Sequence, residues 1–273
     1  MERLQAAIER AREQRDTRGA TARPQPRGTV QDKSAADEAW AALPEIKLQR
    51  RQMLKNRIMT FRSSKDSTPY DILRTRLVQQ AQANGWRRIA ITSPHSACGK
   101  TTTCANLAFG LGRQTGMRSV VLDFDLRRSG LGRILGQKGE IPMEDVLSGR
   151  VPFKDVAMRH GPNLAFGLGF GTSHRSAETL QSDQTRRVLE EIEAEYQPDL
   201  MLIDLPPMSA SDDNFGFLNR IDAAIIVAEA EQTTMTQIDV AERQVAELTN
   251  VAGVVLNKCR YVNGAYGYED GYY

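Results

Sequence analysis

No apolar run in the 273-residue sequence approaches the ~18 residues that a membrane-crossing helix needs, so any membrane role must pass through a partner. The start, MERLQAAIERAREQRD, is charged throughout and lacks the apolar stretch of a secretory signal. Cysteine is scarce: Cys98, Cys104 and Cys259 are odd in number, and their spacing fits neither a disulfide framework nor a zinc site. A reducing cytoplasm is the natural setting for such a chain. A dominant charge is also missing. The 36 Lys and Arg against 34 Asp and Glu leave a formal net charge of +2, which makes no global case for nucleic acid. Aromatic residues are only 6% of the chain, yet five of the seven tyrosines (Tyr261, Tyr266, Tyr268, Tyr272 and Tyr273) fall in YVNGAYGYEDGYY at the end. That segment has almost no aliphatic residue and cannot bury enough apolar surface to offset the entropy of ordering. It reads as a mobile terminus with exposed phenols.

The charge that is present is unevenly placed. Residues 1–66 carry 15 basic against 9 acidic side chains, and the remainder carries 21 against 25. Leu4, Ala7, Ile8 and Ala11 sit at helical spacing, which predicts a short amphipathic helix over 2–15. Residues 16–66 are polar, contain Pro24 and Pro26, and read mainly as linker. Beyond residue 67 the pattern changes. STPYDILRTRLVQQAQANG has a hydroxyl cap, Pro69 at a helix start and Gly85 as a stop. Short apolar runs then alternate with helical stretches: RIAIT, SVVLDFD, LAFGL, LMLID, AAIIVA and AGVVL against 100–113, 182–196 and 233–249. This alternation predicts an α/β fold, a mostly parallel sheet with helices on both faces. The expected organisation is a flexible basic extension over 1–66, a nucleotide-binding domain over 67–260 and a tyrosine-rich tail over 261–273.

Directly after RIAIT comes SPHSACGKTTTCANLA. A Gly-Lys-Thr at a strand-to-helix turn is a phosphate site, because backbone N–H groups and the helix N-terminus point at the anion. Cys98, Gly99, Lys100, Thr101 and Thr102 are its candidate binding residues. Lys100 can reach the β- and γ-phosphates, and the Thr101 hydroxyl can ligate Mg²⁺. The full P-loop pattern asks for glycine where this chain has Pro94. Two further strand ends carry carboxylates: Asp123 and Asp125 in SVVLDFDLRR, and Asp204 in LMLIDLPP. Ligands of open α/β sheets sit at the carboxyl ends of strands. One lysine, one hydroxyl and three carboxylates at such ends predict a Mg²⁺–ATP site in a P-loop NTPase.

Taken together, the LRT helix, the P-loop, DFDLRR, MEDVLSG, SAETLQSD, LMLIDLPP, GVVLNK and the terminal tyrosines resemble the bacterial tyrosine kinases of the polysaccharide co-polymerase system. These are cytoplasmic autokinases of capsule and exopolysaccharide synthesis. The resemblance implies that Lys100 binds phosphates, that Thr101, Asp125 and Asp204 hold Mg²⁺, that Asp123 is the base for a tyrosine hydroxyl, and that Asn257 lies near the adenine. It implies autophosphorylation of the five tail tyrosines, delivered in trans by self-association, and control of polymerisation and export. Implied partners are a membrane chain-length regulator as activator and a cognate tyrosine phosphatase, with no nucleic acid. The implied location is the cytoplasm, at the inner face of the membrane. The family's ring-assembly motif, Glu-x-x-Arg-x-x-Arg, is replaced by Thr68, Asp71 and Arg74. Two other readings share these residues. One is a partition or division-site ATPase switch, whose signature lysine is His95 here. The other is a non-catalytic ATP-binding adaptor.

Overall fold

A computed structural model describes residues 30–62, 64–210 and 212–260, with side chains from residue 34. The tyrosine tail and the helix expected over 2–15 lie outside the described residues.

Seven strands form one sheet in the order β3-β4-β2-β5-β1-β6-β7. They are β1 (Arg88–Thr92), β2 (Ser119–Asp123), β3 (Ala157–His160), β4 (Leu164–Gly167), β5 (Leu200–Asp204), β6 (Ala223–Glu229) and β7 (Asn250–Asn257). All neighbours pair in parallel except β3 with β4. The six apolar runs are six of these strands. β1, β2, β4, β5 and most of β6 are buried on both faces, which is why they are continuously apolar. The sequence reading missed β3. Its AMRH is half exposed and has no apolar run to signal a strand.

Helices cover both faces. One face carries α3 (Thr68–Asn84) and α4 (Lys100–Gly112). Leu77, Cys104, Ala108 and Leu111 from these helices meet Ile89, Ile91, Val121 and Leu202 from the sheet. α3 carries Pro69 in its first turn and stops at Gly85, whose φ of 70° is the left-handed stop that glycine permits. α8 (Asp183–Tyr196) and α10 (Met235–Ala246) cover the other face, where Leu189, Ile192, Ala241 and Val245 join Val120, Met201 and Ile226.

The stretch expected as linker departs from that expectation. From residue 34 to 62 the chain is a strap packed on the domain, with α1 (Val30–Ala42) and α2 (Arg50–Lys55). Trp40, Leu43, Ile46, Met53 and Ile58 are buried. Trp40 Nε1 donates to the Tyr196 carbonyl at 2.6 Å, and the two rings meet edge to face at 6.3 Å. The backbone at Pro44–Ile46 bonds β3 at Arg159 in both directions, 2.9 and 2.8 Å, which covers that sheet edge. The physical reason is burial: each large apolar side chain removed from water stabilises by roughly 1.5–3 kcal/mol, an upper estimate. The polar composition of 16–66 hid these widely spaced anchors. Among the described residues, no helix is long and apolar enough to cross a membrane.

Candidate nucleotide site

The loop Ser93–Gly99 connects β1 to α4. Thr92 Oγ1 donates to the Pro206 carbonyl at 2.8 Å, which ties the end of β1 to the turn after β5. Two loop residues have left-handed backbones, Ala97 (φ 69°) and Gly99 (φ 92°). Glycine adopts this conformation freely, whereas for Ala97 it costs on the order of 1–2 kcal/mol. A Cβ at Gly99 would press on the end of the Asn257 side chain and displace it. Asn257 Nδ2 donates to the Cys98 carbonyl at 2.8 Å. The structure therefore brings Asn257 from the end of β7 onto the phosphate loop itself.

Cys98 contributes backbone rather than sulfur. Its side chain is 1% exposed, with Sγ donating to the His95 carbonyl at 3.1 Å and lying 3.4 Å from His95 Nδ1. His95 Nε2 meets Thr233 Oγ1 at 2.8 Å, and that hydroxyl accepts the Glu229 N–H at 2.8 Å. Sequence reasoning did not find this brace, because its partner is 138 residues away. Cys104 is fully buried in α4, where burial and then Asp204 push its thiol pKa well up. Such a thiol is inert.

Three carboxylates, Asp123, Asp125 and Asp204, gather around Lys100. Asp123 and Asp204 are direct partners across β2 and β5. Lys100 Nζ lies 2.8 Å from Asp125 and 3.6 Å from Asp204. Burial works against the lysine charge, but Asp204 and Asp125 outweigh it and raise its pKa. Asp123 accepts the Leu131 N–H at 2.8 Å and the Asp125 N–H at 3.3 Å. Burial, then the neighbouring Asp204, pushes the Asp123 pKa well above the usual carboxylate range. Burial also raises Asp204, against the pull of Lys100.

Asp204 has no exposed surface, and neither of its oxygens makes a close hydrogen bond; its ion pair with Lys100 is loose, at 3.6 Å, and Thr101 lies beside it. A buried carboxylate that is incompletely satisfied is costly until a cation completes it. This setting beside Thr101 and Lys100 suits a Mg²⁺ ion. Among the described residues, no group of three or more acidic, His or Cys side chains could hold a metal alone. Magnesium binds through one or two carboxylates and takes its remaining ligands from phosphates and water.

Two further networks shape the site. Arg127, after β2, pairs with Asp213 at 2.9 Å, and Asp213 also accepts the Ser176 hydroxyl at 2.9 Å. This pins DLRR to SAET, two segments singled out from sequence. Asn106, buried on α4, accepts the N–H groups of Met59 and Thr60 and donates to the carbonyls of Arg57 and Thr102. It fastens the strap to the helix that carries the phosphate loop. In the replaced assembly motif, Asp71 pairs with Arg74 at 3.2 Å and with Arg113, within the same chain.

The geometry agrees with comparisons to known proteins. The model of the CobQ/CobB/MinD/ParA nucleotide binding domain matches residues 89–271. Tyrosine-protein kinase Wzc of Salmonella typhi is 29% identical over 210 residues, which are 74% of this chain and 28% of that protein. The chain spans about a quarter of the length of other long relatives it matches. Tyrosine-protein kinase CpsD of Streptococcus agalactiae is 25% identical over 72% of this chain and 84% of its own length. The kinase domain of the Escherichia coli tyrosine kinase ETK superposes with a TM-score of 0.57 at 24% identity, covering 66% of this chain and 71% of that one. Shared fold, matched residues and a phosphate loop backed by strand-end carboxylates lead to one assignment: the chain belongs to the CobQ/CobB/MinD/ParA nucleotide-binding domain family.

Proposed function

We propose that this chain is an ATP-dependent protein-tyrosine kinase that phosphorylates its own tail at Tyr261, Tyr266, Tyr268, Tyr272 and Tyr273, and so regulates exopolysaccharide or capsule polymerisation and export. The observation that carries the reading is the buried, incompletely satisfied Asp204 beside Lys100, Asp125 and Asp123, in a chain with a tyrosine cluster at 261–273. Phosphoryl transfer needs charge neutralisation and in-line positioning more than covalent chemistry. The N–H groups from Ala97 to Thr102 cradle the phosphates. Lys100 leaves its carboxylates to neutralise charge on the transferring group. Bound Mg²⁺, held by Thr101, Asp125 and Asp204, supplies further neutralisation. The phenolic oxygen of a tyrosine forms the new bond to the γ-phosphorus, the bond to the β–γ bridging oxygen breaks, and ADP leaves. The phenolic proton passes to Asp123, the carboxylate at the end of β2 that lies next to the Lys100 cluster. Asp123 is sealed in this conformation, so the turn from Asp125 to Leu131 must yield to admit the phenol.

The catalytic unit runs from the strap to residue 260, with 261–273 as its substrate. We place it in the cytoplasm, recruited to the inner membrane face by a chain-length regulator that activates it, and reset by a tyrosine phosphatase. The partition-type switch has less support, because His95 stands in place of the signature lysine and is already engaged with Thr233. Incubation with labelled Mg·ATP and a phosphotyrosine readout tests the proposal. Wild type should label, and Lys100→Met should lose on the order of 10²–10³ in rate, as for removal of one electrostatic element. ATP binding with no phosphotyrosine would favour the adaptor.

A further inference from the structure

Two of the chain's stretches without an acidic residue meet beside the nucleotide site. Residues 46–57 (IKLQRRQMLKNR) carry Lys47, Arg50, Arg51, Lys55 and Arg57, and residues 126–139 (LRRSGLGRILGQKG) carry Arg127, Arg128, Arg133 and Lys138. The fold clamps them together. Asn56 Nδ2, just after α2, donates to the Ile134 carbonyl at 2.6 Å. Gln137 Nε2 donates to the Lys47 carbonyl at 2.8 Å. Ile134 ends α5 (Gly130–Ile134).

Most arginines of this domain are committed to carboxylates or carbonyls. The side chains of Lys47, Arg50, Arg51, Lys55, Arg133 and Lys138 make no ion pair or hydrogen bond among the described residues, and all six are exposed. Glu45 beside them is taken by Arg159 at 2.6 Å, which leaves Glu140 as the nearest acid along the chain. Six exposed like charges on two segments clamped together repel one another, and an anionic partner relieves that cost.

The face borders the nucleotide site. α5 begins at Gly130, where a Cβ would lie 3.4 Å from Thr101 Cγ2. Five helical residues span only about 7 Å, so Arg133 stands within one helical turn of the phosphate loop. Arg128 Nη1 bridges the two by donating to Ser96 Oγ at 3.3 Å.

We propose that this basic face is the docking surface for the chain's own acidic tyrosine segment, residues 261–273, holding Glu269 and Asp270 while a neighbouring tyrosine enters the site. The proposal rests on the kinase reading and adds its substrate surface. The complement lies in the same chain: the tail carries two carboxylates and no Lys or Arg. Tyr266 and Tyr268 lie three and one positions before Glu269, so an extended step of at most about 10 Å joins acceptor and anchor. Phosphorylation of any tail tyrosine adds about −1.5 to −2 charge and so tightens the hold. Tyrosines within the segment are then phosphorylated one after another without release.

The test uses the full chain with its five tail tyrosines changed to Phe and a synthetic peptide of residues 261–273 as acceptor. The charge-reversed variant Arg51→Glu/Lys55→Glu/Arg133→Glu/Lys138→Glu should raise KM for the peptide at least about tenfold at low salt and leave kcat and ATP binding unchanged. The gap should close toward high salt, where the Debye length falls to about 3 Å at 1 M. A peptide with Glu269→Lys and Asp270→Lys should regain affinity for the reversed protein, and that rescue excludes misfolding as the cause. Fluorescence anisotropy of labelled peptide reads binding without turnover, so failure of the kinase reading would leave the docking result intact. Equal peptide affinity in wild type and variant overturns the proposal. If, in addition, only the wild type sediments with vesicles containing phosphatidylserine, the face is a membrane contact instead.

Discussion

Replacing Asn106 should release the strap from the phosphate-loop helix at a cost that can be worked out group by group. Its Oδ1 accepts Met59 N–H at 2.8 Å and Thr60 N–H at 3.1 Å, and its Nδ2 donates to the Arg57 carbonyl at 2.9 Å. The bond to the Thr102 carbonyl is not counted, because that group sits inside α4. Asn106→Ala thus orphans three backbone groups. A fully buried orphan costs about 1–3 kcal/mol. Thr60 is buried, Met59 half-buried and Arg57 exposed, so the sum is about 1.5–4.5 kcal/mol. For a domain of this size each kcal/mol moves Tm by about 2–4 °C, which gives a drop of about 3–18 °C. Asn106→Leu fills the space but restores no bond, so it should remain destabilised. Hydrogen exchange at the Met59 and Thr60 amides should accelerate in both variants under native conditions. A loss below about 1 kcal/mol with unchanged exchange would mean that the strap is not anchored there.

Other expectations concern the site itself. Ala97→Gly should match or exceed wild-type thermal stability, by up to about 1 kcal/mol, because it relieves a left-handed alanine. Ala97→Val should lower both stability and ATP affinity measured by calorimetry; a neutral Val would refute the strain. Asp123→Asn should abolish tyrosine transfer and spare ATP binding, yet raise Tm without nucleotide at pH 7.5. The sign follows from the raised pKa: above the ordinary carboxylate value of 3.8, folding favours the protonated form, and the amide imitates that form. The gain should vanish as pH falls toward that value, where the carboxyl is protonated in both states. A gain that persists at low pH would contradict the burial argument.

Much of the site is readable from sequence because its parts are local. GKTT follows a strand, and Asp123 and Asp204 end strands whose burial on both faces leaves continuous apolar runs. What escaped is long-range. Trp40, Met53 and Ile58 are single apolar residues in a polar stretch, and each is satisfied by a pocket formed elsewhere in the chain. β3 has a half-exposed surface, so no periodicity marks it. Asn106 reads as an unremarkable residue of a helix, since its four partners lie mostly on a segment almost fifty positions away. The Ala97 backbone was also hidden, because alanine gives no warning of a positive φ. The substitution of Asp71 in the assembly motif was visible, but its capture by Arg74 and Arg113 of the same chain was not.

The central claim is transfer of phosphate to tyrosine rather than to water. Intact-mass spectrometry of the full chain after incubation with Mg·ATP tests it most directly. The account predicts a ladder of added phosphoryl groups, up to five, that maps to residues 261–273 and is absent in Lys100→Met. Production of ADP and free phosphate with no change in protein mass would contradict it and identify a nucleotide-switched ATPase.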